Sequence, residues 1–484
     1  MIKKYLFIVL SFMLLTSKTS CASDNTGEVA AMDNKPQKPG YEIKFVMKEL
    51  KDTTVSLGYY YGDKQYLKDS ARVDGNGNFM FKGDERLDPG IYLVIMPDKN
   101  YYEIILDKEQ HFSVETKGPN YIENMKIKGS KENILFYEYL NFINPKGKES
   151  EKLRKQYEGA SAKDSVNIKS KLEALDKEVV AYKKDFREKN PDSFVALIFK
   201  AMDDPKLPEI PKGEDGKEDQ AEKFKIYKKH FWDNIDFTDD RILRTPIYHN
   251  KLERYMKQLT VQYPDSINKS ADVIAEKASA NKELFKYTVF WITNTYERSK
   301  IMGMDAVFVH MAENYYMTNR AHWVDSAQLA RISERAMQLK PILIGKTAPD
   351  LFLRDKDNKV VSLHNTKGEY TVLYFWDPDC GHCKKVTPKL NDLYLKMKDK
   401  GVNVYAVSIY PDLEKIQKFV KEKDIKFINV YDPYHQFNFK QTYDIYSTPV
   451  VYVLDKDKKI LAKRLDVEQI EDFLNHQYNN NKSE

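Results

Sequence analysis

The sequence predicts a multidomain chain with an all-β, sandwich-like N-terminal domain, an all-α middle region and a C-terminal α/β domain. Short alternating runs of apolar and polar residues at 41–129, separated by turn residues, are typical of an antiparallel sandwich or barrel. Apolar residues recur at helical spacing through much of 130–340. An apolar, β-branched run at Tyr370–Trp376 comes directly before another helical pattern, which predicts a buried strand followed by a helix.

Composition favours a well-solvated protein of about three domains. The 484 residues are 42% hydrophobic and 31% charged, which is enough apolar surface for real cores. The formal net charge of +5 is mild for this length, and the charges of both signs are interspersed. The sequence therefore gives no reason to expect nucleic acid as a partner.

Residues 1–20 have the pattern of a secretory signal peptide. Lys3 and Lys4 form a basic start, a mostly apolar run follows at 5–15, and small polar residues come next. The apolar run is too short to span a bilayer, which needs about twenty residues. We therefore expect the mature chain to work outside the cytoplasm, in the cell envelope or periplasm.

Cys21 directly follows this segment. The other two cysteines, Cys380 and Cys383, form a pair near the C-terminus. The place of Cys21 resembles that of the lipid-modified cysteine of bacterial lipoproteins, which predicts a lipid anchor to a membrane. Lys18 stands where such signals usually carry an aliphatic residue, and ordinary cleavage after Ser20-Cys21-Ala22 is the alternative. The polar stretch 21–40 reads as a flexible tether.

Two regions separate the tether from the C-terminal domain. Predicted strands of the 41–129 domain lie at 41–46, 53–57, 79–82, 91–95, 102–106 and 111–115. This domain loosely resembles a small β domain of unknown role found in some bacterial envelope lipoproteins. Predicted helices of the 130–340 region include 161–190, 221–232, 246–262, 266–280, 282–298, 305–316 and 325–338. The sequence does not say what either region binds.

Cys380 and Cys383 lie between the end of the predicted strand and the first turn of the helix that follows it. Unpaired N–H groups and the positive end of the helix dipole favour a thiolate at that place. The i, i+3 spacing lets the two sulfurs meet and close a reversible disulfide. A structural zinc site is the alternative, but zinc would need two further ligands at a set spacing, which the sequence lacks. We therefore expect no metal.

Four features of the C-terminal segment, taken together, are specific. They are the entry segment 344–353, the Phe375-Trp376 pair ahead of the cysteines, Pro388 within the following helix, and segment 443–455 with Thr448-Pro449. Residues 343–474 resemble the thioredoxin-fold domain of the TlpA-type, membrane-associated bacterial thiol-disulfide oxidoreductases. The resemblance implies a thioredoxin fold for 341–484, with a cis bond before Pro449. It also implies that Thr448, Pro449 and Trp376 contact the substrate.

Two positions depart from that pattern. Asp379 precedes the first cysteine, where the family often has Trp, and its charge should raise the thiol pKa. Tyr374 stands where thioredoxins carry a buried Asp that relays protons, which leaves the proton acceptor for Cys383 unassigned.

The predicted activity is thiol-disulfide exchange with client proteins, with the Cys380–Cys383 disulfide as the redox group and no other cofactor. Cys380 is the predicted attacking thiolate, Cys383 resolves the mixed disulfide, and the imidazole of His382 favours the Cys380 thiolate. The resemblance and the expected envelope location imply a reductase that receives its electrons from a membrane electron donor. The Gly-His interior also permits an isomerase or oxidase, and an envelope binding protein whose redox site serves one client is a further alternative.

Overall fold

The computed structural model describes residues 40–212, 216 and 218–481. The predicted signal peptide, Cys21 and all of the tether except Gly40 lie outside the described residues. The chain divides into two compact units, and the division falls between Glu253 and Arg254. Within the described ranges, no helix has the length and apolar content needed to cross a membrane.

The first unit begins with a β domain of two four-stranded sheets, in the orders β4-β1-β7-β8 and β3-β2-β5-β6. The strands are β1 (Tyr41–Val46), β2 (Thr54–Tyr61), β3 (Lys64–Arg72), β4 (Asn78–Gly83), β5 (Gly90–Ile95), β6 (Tyr101–Leu106), β7 (His111–Glu115) and β8 (Lys126–Lys128). Alternate residues of β1 and β4 point into the core, where the rings of Phe45 and Phe79 stack with centroids 4.7 Å apart. Period-two burial is the pattern from which these strands were predicted.

The β domain differs from the sequence-based expectation in its strand pairing and in its strand number, since β3 and the three-residue β8 were not predicted. β1 pairs with β7 in parallel, whereas only antiparallel pairs were expected. Strand β3 was not predicted, because it lies at a sheet edge and most of its side chains are exposed. Without a buried face, β3 lacks the alternation on which sequence-based prediction depends.

The helices of the first unit begin directly after the β domain. They are α1 (Lys131–Tyr157), α2 (Ala162–Lys189), α3 (Phe194–Met202), α4 (Gln220–His230) and α5 (Pro246–Lys257), which continues past the division. Asn133 ties α1 to strand β6: its side chain accepts from the amide of Ile105 and donates to the same residue's carbonyl, at 2.7 and 2.6 Å. Helix α3 was not predicted, because six of its nine residues are buried and the segment lacks a polar face.

The second unit contains four further helices before its sheet. They are α6 (Pro264–Ala278), α7 (Lys282–Glu297), α8 (Asp305–Met311) and α9 (Ser326–Leu339), and a π-helical turn at Ala312–Tyr316 follows α8. A capping side chain starts α7 and α9: Asn281 and Asp325 each accept hydrogen bonds from first-turn amides.

A seven-stranded sheet follows, in the order β10-β9-β13-β12-β11-β14-β15. Its strands are β9 (Phe352–Arg354), β10 (Val360–Ser362), β11 (Tyr370–Trp376), β12 (Val402–Ser408), β13 (Ile428–Tyr431), β14 (Val450–Asp455) and β15 (Ile460–Lys463). Helices α10 (Gly381–Met397), α11 (Leu413–Glu422), α12 (Phe439–Tyr443) and α13 (Ile470–Asn481) complete the unit. β11 pairs with β12 in parallel and with β14 in antiparallel fashion.

Both faces of β11 are covered, and all seven of its residues are buried. Val372, Tyr374 and Trp376 face a core that includes α10, α11 and α13. Leu373 and Phe375 face the opposite core, to which helices α8 and α9 contribute. This double burial explains the uninterrupted apolar run in the sequence. The predicted fold class, a β-sandwich-like domain, a helical middle region and a thioredoxin-like C-terminal domain, is confirmed.

Candidate active site

Cys380 is the N-cap residue of α10, and its extended backbone is that of a chain entering a helix. Its sulfur accepts a hydrogen bond from the amide of Cys383, with 3.5 Å between nitrogen and sulfur. The first-turn amides of a helix have no partner within the helix, so they are free to bond to a sulfur at the cap. The strand-to-helix order therefore places the first thiol where amide donors converge.

The pKa of Cys380 is lowered. Partial burial by itself raises this pKa, but several hydrogen bonds to the sulfur oppose burial and outweigh it. They come from the amide and thiol of Cys383, the side chain of Thr448 and the amide of His382. Donors that stabilise the thiolate make Cys380 the more reactive nucleophile of the pair near neutral pH.

Cys383 lies one turn deeper and is fully buried. Burial raises the pKa of its thiol to about 11, because the apolar surroundings disfavour the charged form. The two cysteines thus differ in the direction expected of an attacking thiol and a resolving thiol.

Tyr374 and Thr387 lie behind the buried sulfur and are themselves buried. The Thr387 hydroxyl donates to the carbonyl of Cys383 at 2.7 Å, so the Tyr374 hydroxyl, 2.8 Å away, donates to the Thr387 oxygen. Burial raises the pKa of Tyr374 far above neutral pH. Tyr374 therefore remains a protonated donor and does not take the place of a carboxylate base.

Asp379 does not face the cysteines as an isolated charge. Its carboxylate accepts from Lys415 at 2.9 Å, and this interaction lowers the pKa of Asp379. The ammonium group offsets the negative charge that would otherwise raise the thiol pKa. This pairing was not evident from the sequence, since the two residues lie on different elements.

The loop before β14 completes the surroundings of the cysteines. The peptide bond between Thr448 and Pro449 is cis, and the Cys380 thiol donates to the Thr448 carbonyl, with 3.4 Å between sulfur and oxygen. The structure thus brings Cys380, Cys383, Thr448 and Pro449 together.

One predicted role needs correction. Trp376 was expected to contact substrate, but it is 0% exposed and packs against Phe419 in the core. A side chain at the end of a strand covered on both faces is closed to a protein substrate, so that prediction is wrong. His382 is exposed, and its backbone amide is one of the donors that lower the pKa of Cys380. The role expected of its imidazole stays a prediction.

A cavity of about 360 Å³ lies beside the cysteines. Its lining includes His382 and Pro449, which the sequence had singled out, and also Arg335, Asp444 and Tyr446, which it had not. Arg335 belongs to α9, so a helix of the predicted middle region reaches this cavity. In the described part of the chain, no group of three or more His, Cys, Asp or Glu side chains is arranged to hold a metal ion.

Three family models match the chain. The model of the AhpC/TSA family matches residues 344–463, and two models described as domains of unknown function, DUF5106 and DUF4369, match residues 164–340 and 41–136.

Curated relatives match the C-terminal part. The thiol-disulfide oxidoreductase ResA of Bacillus thuringiensis subsp. konkukian is 33% identical over 134 residues, which are 27% of this chain and 76% of that protein. The ResA protein of Oceanobacillus iheyensis is 30% identical over 139 residues, with 27% of this chain and 71% of that protein covered.

Solved structures also match. A domain of a possible thiol-disulfide isomerase from Cytophaga hutchinsonii is 45% identical, covers 29% of this chain and 97% of its own, and has a TM-score of 0.28. A thioredoxin-like protein from Bacteroides caccae is 21% identical, covers 56% of this chain and 98% of its own, and has a TM-score of 0.43.

A cysteine pair at the start of α10, beside a cis-proline loop on a mixed sheet, defines the class of thioredoxin-fold redox proteins. Within this class, the extent and identity of the match to the ResA proteins show that the chain belongs to the thiol-disulfide oxidoreductases. The protein is therefore an oxidoreductase.

Proposed function

We propose that the protein reduces disulfides of client proteins in the bacterial cell envelope through Cys380 and Cys383. The observation that carries the proposal is the opposite shift of the two thiols: the pKa of Cys380 is lowered, and that of the buried Cys383 is raised to about 11. Such a pair has one thiol ready to attack and a second that stays protonated until it is needed.

The exchange proceeds through a mixed disulfide. The Cys380 thiolate attacks one sulfur of the client disulfide, the client S–S bond breaks, and the second client sulfur leaves as a thiolate. Cys383 then loses its proton and attacks the Cys380 sulfur, which breaks the mixed disulfide and releases the other client thiolate. Two electrons pass to the client, the two client thiolates take up protons, and the Cys380–Cys383 disulfide remains.

The backbone of Thr448 and Pro449 is the proposed docking edge for the client. The Thr448 carbonyl is already within 3.4 Å of the Cys380 sulfur, so a peptide bound along this edge would place its disulfide beside the thiolate. Return of the protein to its reduced form requires a thiol donor, which we assign to a membrane electron carrier. The signal-like residues 1–20 and Cys21 support an envelope location with a lipid anchor.

One observation favours isomerase or oxidase activity as a second candidate. Hydrogen bonds that lower the pKa of Cys380 stabilise the reduced form and make the pair more oxidising. Thiol-disulfide proteins span about −270 mV for thioredoxin to about −120 mV for the strongest oxidants. A potential near the upper end would favour the second candidate.

Trapping experiments in cells test the proposal. Cys383→Ser should accumulate mixed disulfides with client proteins, because the attacking thiol remains while the resolving thiol is lost. Cys380→Ser is the matched control and should trap almost none. Acid quenching followed by alkylation of the wild-type protein gives the direction: a mostly reduced pair supports a reductase, and a mostly oxidised pair contradicts it. Equal trapping by both variants would refute the assigned roles.

A further inference from the structure

A buried carboxylate lies beside the proposed docking loop. Asp444 is 3% exposed and accepts hydrogen bonds from two guanidinium groups, those of Arg335 and Arg464. Arg335 is bidentate, with one nitrogen on each carboxylate oxygen. A buried carboxylate needs such partners, because an unpaired charge in the protein interior is strongly unfavourable.

The two arginines are not equivalent. Arg464 follows β15 in the thioredoxin-like domain, and 59% of its side chain is exposed. Arg335 comes from helix α9, and 30% of its side chain is exposed. The more enclosed partner of Asp444 is therefore supplied by the helical region, more than a hundred residues away in sequence. Bidentate geometry fixes the orientation of the carboxylate as well as its charge.

Asp444 begins the segment that leads to the cis-proline. It has a left-handed backbone conformation, with φ of 57°, and stands four residues before Thr448. Helix α9 makes two more contacts nearby: Gln338 donates to the carbonyl of Lys440 at 2.6 Å, and Arg335 lies 5.9 Å from the ring centre of Tyr446. Helix α9 therefore holds the segment from Lys440 to Tyr446 at several points.

The same segment forms one wall of the cavity beside the cysteines. Arg335, Asp444, Tyr446 and Pro449 all line it, and so does His382 from the first turn of α10. A shift of Asp444 would therefore displace both the cavity wall and the backbone that continues into Thr448.

We propose that Arg335 of helix α9 is a positioning residue that holds the 444–449 loop in the conformation needed for client docking. This inference rests on the proposed function, because it assumes that clients dock at Thr448 and Pro449. Arg335 does not touch the reacting sulfurs. It acts through Asp444, and its loss leaves the buried carboxylate with a single, largely exposed guanidinium.

The test compares Arg335→Met with Arg331→Met in the full chain. Arg331 lies one turn earlier on the same helix and is exposed, so its substitution controls for loss of a positive charge from α9. Insulin serves as the protein substrate and Ellman's reagent as a small disulfide that needs no docking. Arg335→Met should raise KM for insulin about tenfold while kcat and the rate with Ellman's reagent stay within about twofold. Arg331→Met should resemble the wild type.

Two further variants separate positioning from simple destabilisation. Arg335→Lys keeps the charge but not the bidentate geometry, so its KM should fall between those of the wild type and Arg335→Met. Asp444→Asn removes the negative charge, and asparagine tolerates the left-handed backbone conformation at this position. Its effect and that of Arg335→Met should be less than additive in the double variant, because both disrupt the contact between Arg335 and Asp444.

Amide hydrogen exchange of residues 444–451 gives a readout that does not depend on catalysis. Exchange should be faster in Arg335→Met than in Arg331→Met. Equal exchange in the two variants, or an equal KM for insulin, would overturn the proposal. An equal loss of activity toward insulin and Ellman's reagent would also overturn it, since that pattern indicates a general structural role. If the wild-type protein does not reduce insulin but Arg335 protects the loop, the proposed function fails and the positioning of the loop stands.

Discussion

At the scale of single residues, the two thiols differ in pKa because one helical turn separates a partly buried cysteine from a fully buried one. Cys380 caps α10 and receives amide hydrogen bonds, whereas Cys383 is enclosed by the core of the sheet. Neighbouring donors stabilise one thiolate, and desolvation destabilises the other. Three residues of separation are therefore enough to shift the pKa values of the two thiols in opposite directions.

This difference predicts the pH dependence of alkylation. Cys380, measured in the Cys383→Ser variant, should react with iodoacetamide with an apparent pKa below that of an unperturbed thiol, about 8.5. Cys383, measured in Cys380→Ser, should titrate at about 11, so its rate rises only in alkaline solution. In urea both variants should titrate at about 8.5, which is the control for burial. A faster-reacting Cys383 near pH 7 would reverse the assignment.

At the scale of elements, the sheet of the second unit depends on helix α9 and the turn after it. Ala336, Leu339 and Ile342 are buried in the same core as Leu373 and Phe375 of the central strand. The boundary predicted near residue 341 thus falls within a stretch that packs on the sheet. A fragment that starts after this stretch exposes apolar surface that the full chain buries.

We expect the fragment 343–484 to fold and to reduce insulin, but to be less stable than the fragment 326–484. Fully burying one Leu or Ile contributes roughly 1.5–3 kcal/mol, so the difference in unfolding free energy should reach several kcal/mol. Urea unfolding of both fragments measures it.

A Leu339→Ala substitution in the longer fragment is the matched control and should cost about 2–5 kcal/mol. Equal urea midpoints for the two fragments would show that α9 does not stabilise the sheet. An unfolded short fragment would show instead that the helical region is required for folding.

At the scale of the whole molecule, Cys21 predicts where the protein resides. Cys21→Ala should move the protein from the membrane fraction to the soluble periplasm, because a lipid attached to this cysteine would be the anchor. Fractionation with immunoblotting measures the shift, and Cys380→Ser, which leaves the anchor intact, should fractionate like the wild type. Soluble, unlipidated wild-type protein would contradict the prediction.

The sequence alone determined those features that depend on neighbours along the chain. The buried strand, the cysteine pair and the helix start at Cys380 all lie within residues 370–397, and side-chain type and spacing specify each of them locally. The alternating strands of β1 and β4 were predictable for the same reason. Elements without a distinct polar and apolar face, such as β3 and α3, were not.

Tertiary structure alone decided which distant residues meet. The full burial of Trp376, the ion pair between Asp379 and Lys415, and the bidentate contact between Arg335 and Asp444 join elements that are separate in the sequence. The physical reason is that the type of a charged or aromatic side chain does not specify which distant residue it will contact. Its environment is set only when the sheet and helices pack, so the sequence could predict the cysteines but not the helix that holds the loop beside them.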